Sequence, residues 1–159
     1  GRKTLHRGLN ELLDAWEEHG VDEFILVTAH RHDPHLEALA TLVTDHATVR
    51  VIDVWDVPIH DLLDGQEQAE HAGEAETSVM RHLYPDLVRM DRARDFQLDP
   101  DEFRRYIRGG MPKPPPGGTG SVGRPTLATA EKGQRIYDRI LDAIRRAVFI
   151  RRDLETDTL

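Results

Sequence analysis

Two short apolar runs set the architecture open to this chain: DEFILVTA at residues 22–29 and ATVRVIDVW at residues 47–55. Both have the length and the β-branched content of strands. Before the first run, Leu5, Leu9, Leu12, Leu13 and Trp16 recur at helical spacing, and Gly20 follows as a stop. Between the runs, Pro34 opens a second helical stretch that carries Leu36, Leu39, Ala40 and Leu42. A helix–strand–helix–strand order predicts a parallel sheet with helices packed on it and right-handed crossovers. Ligands in such folds bind beyond the carboxyl ends of the strands. His30 and residues 53–56 fall at those ends.

Downstream, residues 65–73 (GQEQAEHAG) are polar, and EAETSVMRHLY predicts a helix stopped by Pro85, with Val79, Met80 and Leu83 on its apolar side. PDLVRM predicts a short strand or turn, and a weaker helical segment lies near residues 100–107. Residues 109–125 (GGMPKPPPGGTGSVGRP) form a long Pro/Gly loop, a plain surface excursion or a lid. A final helix is predicted over roughly residues 129–151, with Ile136, Ile140, Leu141, Ile144 and Val148 as its buried stripe. Thr129 suits its N-cap. Lys132 stands where a capping box would place Glu or Gln. The tail RRDLETDTL is expected to fray.

The chain has 159 residues, enough for a single domain. Its net charge of -8 argues against a general nucleic-acid or anionic-membrane binder. Cysteine is absent, which removes disulfides, thiolate zinc sites and cysteine nucleophiles, and points to the cytoplasm. No apolar run approaches a membrane span and no signal peptide is visible. The sequence holds no G-x-S-x-G elbow, P-loop or Rossmann glycine fingerprint. Nine histidines is a high count and directs attention to metal binding. His6, His19, His46 and His60 read as surface or satisfied histidines, and His82 as partly exposed on a helix.

Two clusters carry possible chemistry. In ILVTAHRHDPHLEAL, residues 25–39, His30 and His32 are two apart and point to one side of an extended backbone. They can share one metal ion or serve one ion each of a pair, and neutral imidazole suits zinc, manganese or iron. The same residues also read as a polar loop after a strand. The order His30, His32, Asp33, His35 is similar to the metallo-β-lactamase motif, but the acid comes one place early and the alternating α/β pattern opposes that fold. In EHAGEAETS, residues 70–78, glutamates at a helix N-terminus favour the helix dipole, a purely structural explanation. Gly73 also permits a tight turn that brings His71 and Glu74 close, which suits a metal ligand beside a general acid or base. Glu74 and Glu76 cannot both be buried on one helical face, so one is free to point elsewhere.

Three segments, in order, resemble the creatininase (creatinine amidohydrolase) family. HGVDEFILVTAHRHDPHLEAL is similar to its strand followed by N-G-H-G-G-N or N-G-H-x-E-N. HAGEAETSVMRHLYPDLVRMD is very close to H-A-G-E-x-E-T-S…P-D-L-V, and GRPTLATAEKG matches G-x-P-x-x-A-T-x-E-K-G ahead of the last helix. The resemblance implies a three-layer α/β/α fold with a mainly parallel sheet. It also implies a metal-dependent amidohydrolase that splits a C–N bond of a small cyclic amide, formamide or peptide. Its cofactor would be a divalent metal, zinc, manganese or iron, with two ions in a complete site. It implies a homo-oligomer, a hexamer in this family. By the same resemblance, His30 stands for a metal-binding histidine, Glu74 for a metal-binding glutamate, and His71 for the proton donor to the leaving nitrogen. Glu70 beside it would orient or tune His71.

The departures are specific. Thr28 and Ala29 replace Asn-Gly, and Arg31, His32 and Asp33 replace Gly-Gly-Asn. His32 sits where some members place a metal-binding glutamate and is a candidate substitute ligand. Arg31 would fill the pocket or bind a substrate carboxylate. The family's earlier E-x-H-G…H-L-P…D segment, which carries about three metal ligands by resemblance, has no counterpart in residues 1–16. Residues 1–159 are therefore expected to form the C-terminal two-thirds of such a fold, with the rest absent or on a second chain. The expected activity is accordingly either an amidohydrolase site completed by that segment, or a degenerate non-catalytic subunit that scaffolds a catalytic partner.

Overall fold

The computed structural model describes residues 1–150, so the tail expected to fray, and the last residue of the expected final helix, lie outside the described residues. Two compact units form among the described residues: residues 1–56 with 107–109, and residues 57–106 with 110–150.

In the first unit, helix α1 (Arg2–Glu17) leads to strand β1 (Glu23–Thr28), helix α2 (Asp33–Ala40) and strand β2 (Thr48–Asp53). The strands pair in parallel, with Thr28 opposite Asp53, so the α/β alternation read from the sequence is present. Leu13, Phe24, Ala38, Leu39 and Trp55 form the core, and Trp16 stacks on Phe24 with ring centroids 6.1 Å apart. Trp16 itself stays 48% exposed. Glu17 is buried although it is charged. Its carboxylate accepts the backbone N–H groups of Asp45, His46 and Ala47, fixing the loop that feeds β2. Parallel strands are ordinarily covered on both faces, yet Val27 is 53% exposed.

In the second unit, α3 (Glu74–Leu83), α4 (Pro100–Ile107, whose last residue falls in the first unit) and α5 (Ala130–Arg145) are joined by loops and short 3-10 turns. PDLVRM, expected as a strand or turn, folds as two such turns, Pro85–Leu87 and Met90–Arg92. After α5 the chain continues as a π-helical turn, Arg146–Ile150.

The buried side of α3 corrects the sequence reading. Met80 and Leu83 are exposed, and Glu74, Ala75 and Ser78 are buried instead. Small side chains let α3 approach α5 closely, where Gly133, Ile136 and Ile140 are buried. An alanine Cβ at Gly133 would lie 1.9 Å from the Ser78 carbonyl oxygen. Leu141, expected in the buried stripe of α5, is 46% exposed. Thr129 caps α5 as expected, accepting the Lys132 N–H at 3.1 Å.

Arg139 of α5 ties that helix to the turn at His60–Leu62 by donating to both Asp61 carboxylate oxygens, at 2.5 and 2.9 Å. The Arg139 hydrogen bond, against a smaller opposing effect of burial, lowers the Asp61 pKa from 3.8 to about 2. A depressed carboxylate contributes stability that is fully present above its unfolded pKa and is lost as pH falls through the folded one. The stability difference between wild type and Arg139→Met should therefore be constant above pH 3.8 and shrink as pH falls to about 2. Urea unfolding at stepped pH checks this. A difference that stays constant across that window would remove Asp61 as the cause.

Candidate functional site

Residues 70–73 form a tight turn, with Gly73 N–H donating to the Glu70 carbonyl at 2.9 Å. Ala72 at its apex has φ 47, in the left-handed region that non-glycine residues rarely adopt. Such a conformation persists only where its surroundings over-determine it. Here the Ala72 N–H donates to Glu76 Oε2 at 2.7 Å, and the Ala72 carbonyl accepts from Thr77 Oγ1 at 3.0 Å. The neighbouring His71 carbonyl accepts the Val122 N–H at 2.7 Å. The turn is thus held on three backbone groups, and the His71 side chain is presented to solvent.

The glutamates around this turn divide their work. Burial raises the Glu76 pKa, while its hydrogen bond from Ala72 and the His71 charge act in the other direction. Glu70, expected to tune His71, is half-buried and raised by burial alone. It faces an open cleft of about 1260 Å³, whose walls also include His60, Gln66, Phe103 and Arg124. Gln66 Oε1 accepts the N–H groups of Glu74 (2.6 Å) and Arg124 (2.9 Å). Gln66 Nε2 is buried with no hydrogen-bond partner. Gly123, at φ 107, lets the chain pass here, since a Cβ would sit 2.5 Å from Gln66 Nε2 and 2.6 Å from Glu70 Oε2.

Glu74, expected as a metal ligand, has a carboxylate committed elsewhere. Its side chain is 0% exposed. Oε1 accepts from the Asp64 N–H at 2.8 Å and the Lys132 ammonium at 2.5 Å, and Oε2 accepts the Gly65 N–H at 2.9 Å. Ser78, one turn on, accepts the Thr129 N–H at 3.2 Å and packs against Gly133. The HAGEAETS and ATAEKG segments therefore clasp each other, Glu74 to Lys132 and Ser78 to Thr129 and Gly133.

In the first unit, His30 and His32 stand where β1 ends, and a third imidazole, His35, joins them from α2. Ring centroids are 5.6 Å apart for His30–His32 and 5.1 Å for His30–His35. Two imidazoles bound to one ion, each nitrogen about 2 Å from it, have centroids roughly 5 Å apart. Both the His30–His32 and the His30–His35 separations lie near that value. His35 Nε2 is 2.8 Å from Thr28 Oγ1. Arg31 reaches across to β2, donating to the Trp55 carbonyl at 3.0 Å and to Asp56 at 3.2 Å, and lies 3.9 Å from the buried carboxylate of Asp53. Trp55 is core, its indole N–H on the Ala29 carbonyl. Among the described residues no group of three or more His, Asp or Glu side chains is arranged to hold a metal ion, so these residues do not close a metal site.

The sequence reading passed over Glu76, Thr77 and Gln66 as working residues. Glu76 had a signal, since one of the two α3 glutamates had to point away from the helix interface. Gln66 had none.

A parallel α/β unit with histidines at the carboxyl end of its strand, together with a helical unit that presents one histidine on a strained turn, defines an α/β protein. The family model described as creatininase (creatinine amidohydrolase) matches residues 1–148, and the chain belongs to that family. The chain is 38% identical over 74 residues to a mycofactocin precursor peptide peptidase of Mycobacterium ulcerans (strain Agy99), a stretch that takes in 45% of this chain and 29% of that protein. A crystal structure of creatinine amidohydrolase superposes with a TM-score of 0.68 at 24% identity, covering 93% of this chain and 63% of that one. A manganese form of creatininase superposes with a TM-score of 0.64 at 25% identity, covering 92% and 65%. The chain thus spans less than two thirds of the proteins it matches.

Proposed function

We propose that this chain is part of a creatininase-type amidohydrolase, in which His71 carries the proton to the nitrogen released when a C–N bond is hydrolysed. The observation that supports this most is the turn at residues 70–73, which holds a left-handed Ala72 and presents an otherwise uncommitted imidazole. Strain of this kind clusters at functional sites. Glu70 lies beside this turn in the wall of the open cleft, a suitable seat for a small amide, formamide or peptide. His30 and His32 would supply two ligands to a divalent metal, zinc, manganese or iron. When bound, such an ion polarises the scissile carbonyl and the attacking water. The remaining ligands would come from a further segment, preceding these residues or carried by a second chain, and the exposed Val27 on the two-stranded sheet suits such an addition. Glu74 holds the helical unit together rather than binding the ion. No described helix is long and apolar enough to cross a membrane.

Arg31 favours a second reading. The guanidinium sits across the strand ends, bound to Asp56 and the Trp55 carbonyl, where the family resemblance calls for glycine. A non-catalytic subunit that scaffolds a catalytic partner is the alternative.

One assay separates them. The complete protein, with the segment that supplies the remaining ligands and with zinc or manganese, is tested on creatinine, an N-formyl amine and a short peptide. Turnover of one of these, reduced by at least about 100-fold in His71→Asn, is expected for a general acid. No turnover of any of them, or turnover that survives His71→Asn, contradicts the amidohydrolase reading.

A further inference from the structure

We propose that Glu76 and Thr77 are the positioning residues of His71, and that Glu70, its sequence neighbour, is not. This rests on the reading of His71 as the proton carrier.

The argument is geometric. His71 precedes a left-handed alanine, and the ring direction is set by the backbone on either side of it. Left to itself, Ala72 would relax to negative φ and swing the imidazole away, since the left-handed region is disfavoured for a residue with a Cβ. Two side chains prevent that by holding the two peptide groups on either side of Ala72. Glu76 Oε2 takes the Ala72 N–H at 2.7 Å, and Thr77 Oγ1 donates to the Ala72 carbonyl at 3.0 Å. Both come from the first turn of α3, so the helix itself is the jig. A third hold, Val122 N–H on the His71 carbonyl, anchors the residue from the long loop.

Glu76 also differs in kind from an ordinary cap. Burial raises its pKa while the His71 charge lowers it, and its own charge adds to burial in raising the pKa of Tyr106 of α4, which is 7% exposed. Glu70 has neither link. Its Oε2 lies over Gly123, beside the unpartnered Nε2 of Gln66, and burial is the one influence on it. The E-T-S triplet then has two separate tasks. Glu76 and Thr77 hold the turn, and Ser78 holds α5.

The test needs no substrate. The imidazole 1H–13C resonance of His71 in the full chain is assigned by its loss in His71→Gln. It is then followed in Glu76→Gln, Thr77→Val and Glu70→Gln, with thermal unfolding of each. A residue that only stabilises the fold would lower the unfolding midpoint without selecting this ring. We expect the His71 resonance to move by more than its linewidth in Glu76→Gln and Thr77→Val, and to stay in place in Glu70→Gln. An unmoved resonance in the first two, or an equal shift in Glu70→Gln, overturns the proposal. If Glu76→Gln does not fold, Thr77→Val against Glu70→Gln decides. Hydrolysis that survives His71→Asn would sink the proton-carrier role instead, and leaves the ring shifts as a separate result.

Discussion

Replacing Gly133 by alanine should lower the stability of the protein by about 3 kcal/mol, the upper end of ordinary overpacking penalties. The added Cβ would sit 1.9 Å from the Ser78 carbonyl oxygen, 2.5 Å from the Ser78 carbonyl carbon and 2.9 Å from the His82 Cβ. Two of those atoms are helix backbone and cannot rotate aside, so α3 and α5 must separate. Helix propensity works the other way, since alanine is favoured over glycine inside a helix by about 1 kcal/mol. The clash is the larger effect. For a chain of this size the drop corresponds to roughly 6–12 °C in the thermal midpoint. Circular dichroism melts measure it. An unchanged or raised midpoint, the outcome that propensity alone would give, contradicts the close packing of α3 on α5.

Lys132→Met should be at least as damaging, because it strands the Glu74 carboxylate. Glu74 is 0% exposed, and Lys132, 14% exposed, is its cationic partner. Removing one member of a buried pair typically costs about 3–5 kcal/mol, because the other charge is left uncompensated. Asp64 also meets Lys132, at 2.7 Å, but it is 71% exposed. A solvent-exposed partner contributes about 1 kcal/mol or less, so Asp64→Asn should be mild. Glu74→Gln combined with Lys132→Met should recover part of the loss, since residues in contact couple and their effects do not add. Urea unfolding of wild type and the three variants checks the order. Equal losses in Asp64→Asn and Lys132→Met would show that the interior pair is not what matters.

The contacts behind these two predictions explain what was legible in the sequence. Residues 22–29 and 47–55 read correctly as parallel strands, because β-branched runs between helical periods have few other solutions. Thr129 read correctly as a cap, because the chemistry is local. The buried face of α3 was misread because its largest apolar residues, Met80 and Leu83, were assumed to point inward. The interface instead selects for small size, and Ala75, Ser78 and Gly133 carry no hydrophobic signal in a periodicity count. Glu74 looked like a ligand because a buried carboxylate and a metal ligand share one letter. Its partner Lys132 lies 58 residues away in sequence, and nothing in local spacing joins them. Glu76 was the nearest miss. Helical geometry required one of the two glutamates to face elsewhere, but only the left-handed Ala72 shows what it faces.

The central claim is that the HAGEAETS signature divides its residues, Glu74 for the fold and His71 for chemistry, with His30 on the metal side. Metal content of the complete protein, with the segment that supplies the remaining ligands, after loading with zinc or manganese, measured for wild type, Glu74→Gln and His30→Ala, tests it most directly. The account predicts that Glu74→Gln keeps its metal while losing thermal stability, and that His30→Ala loses the metal while melting as wild type does. Metal lost from Glu74→Gln at an unchanged melting temperature, with full occupancy in His30→Ala, would contradict it.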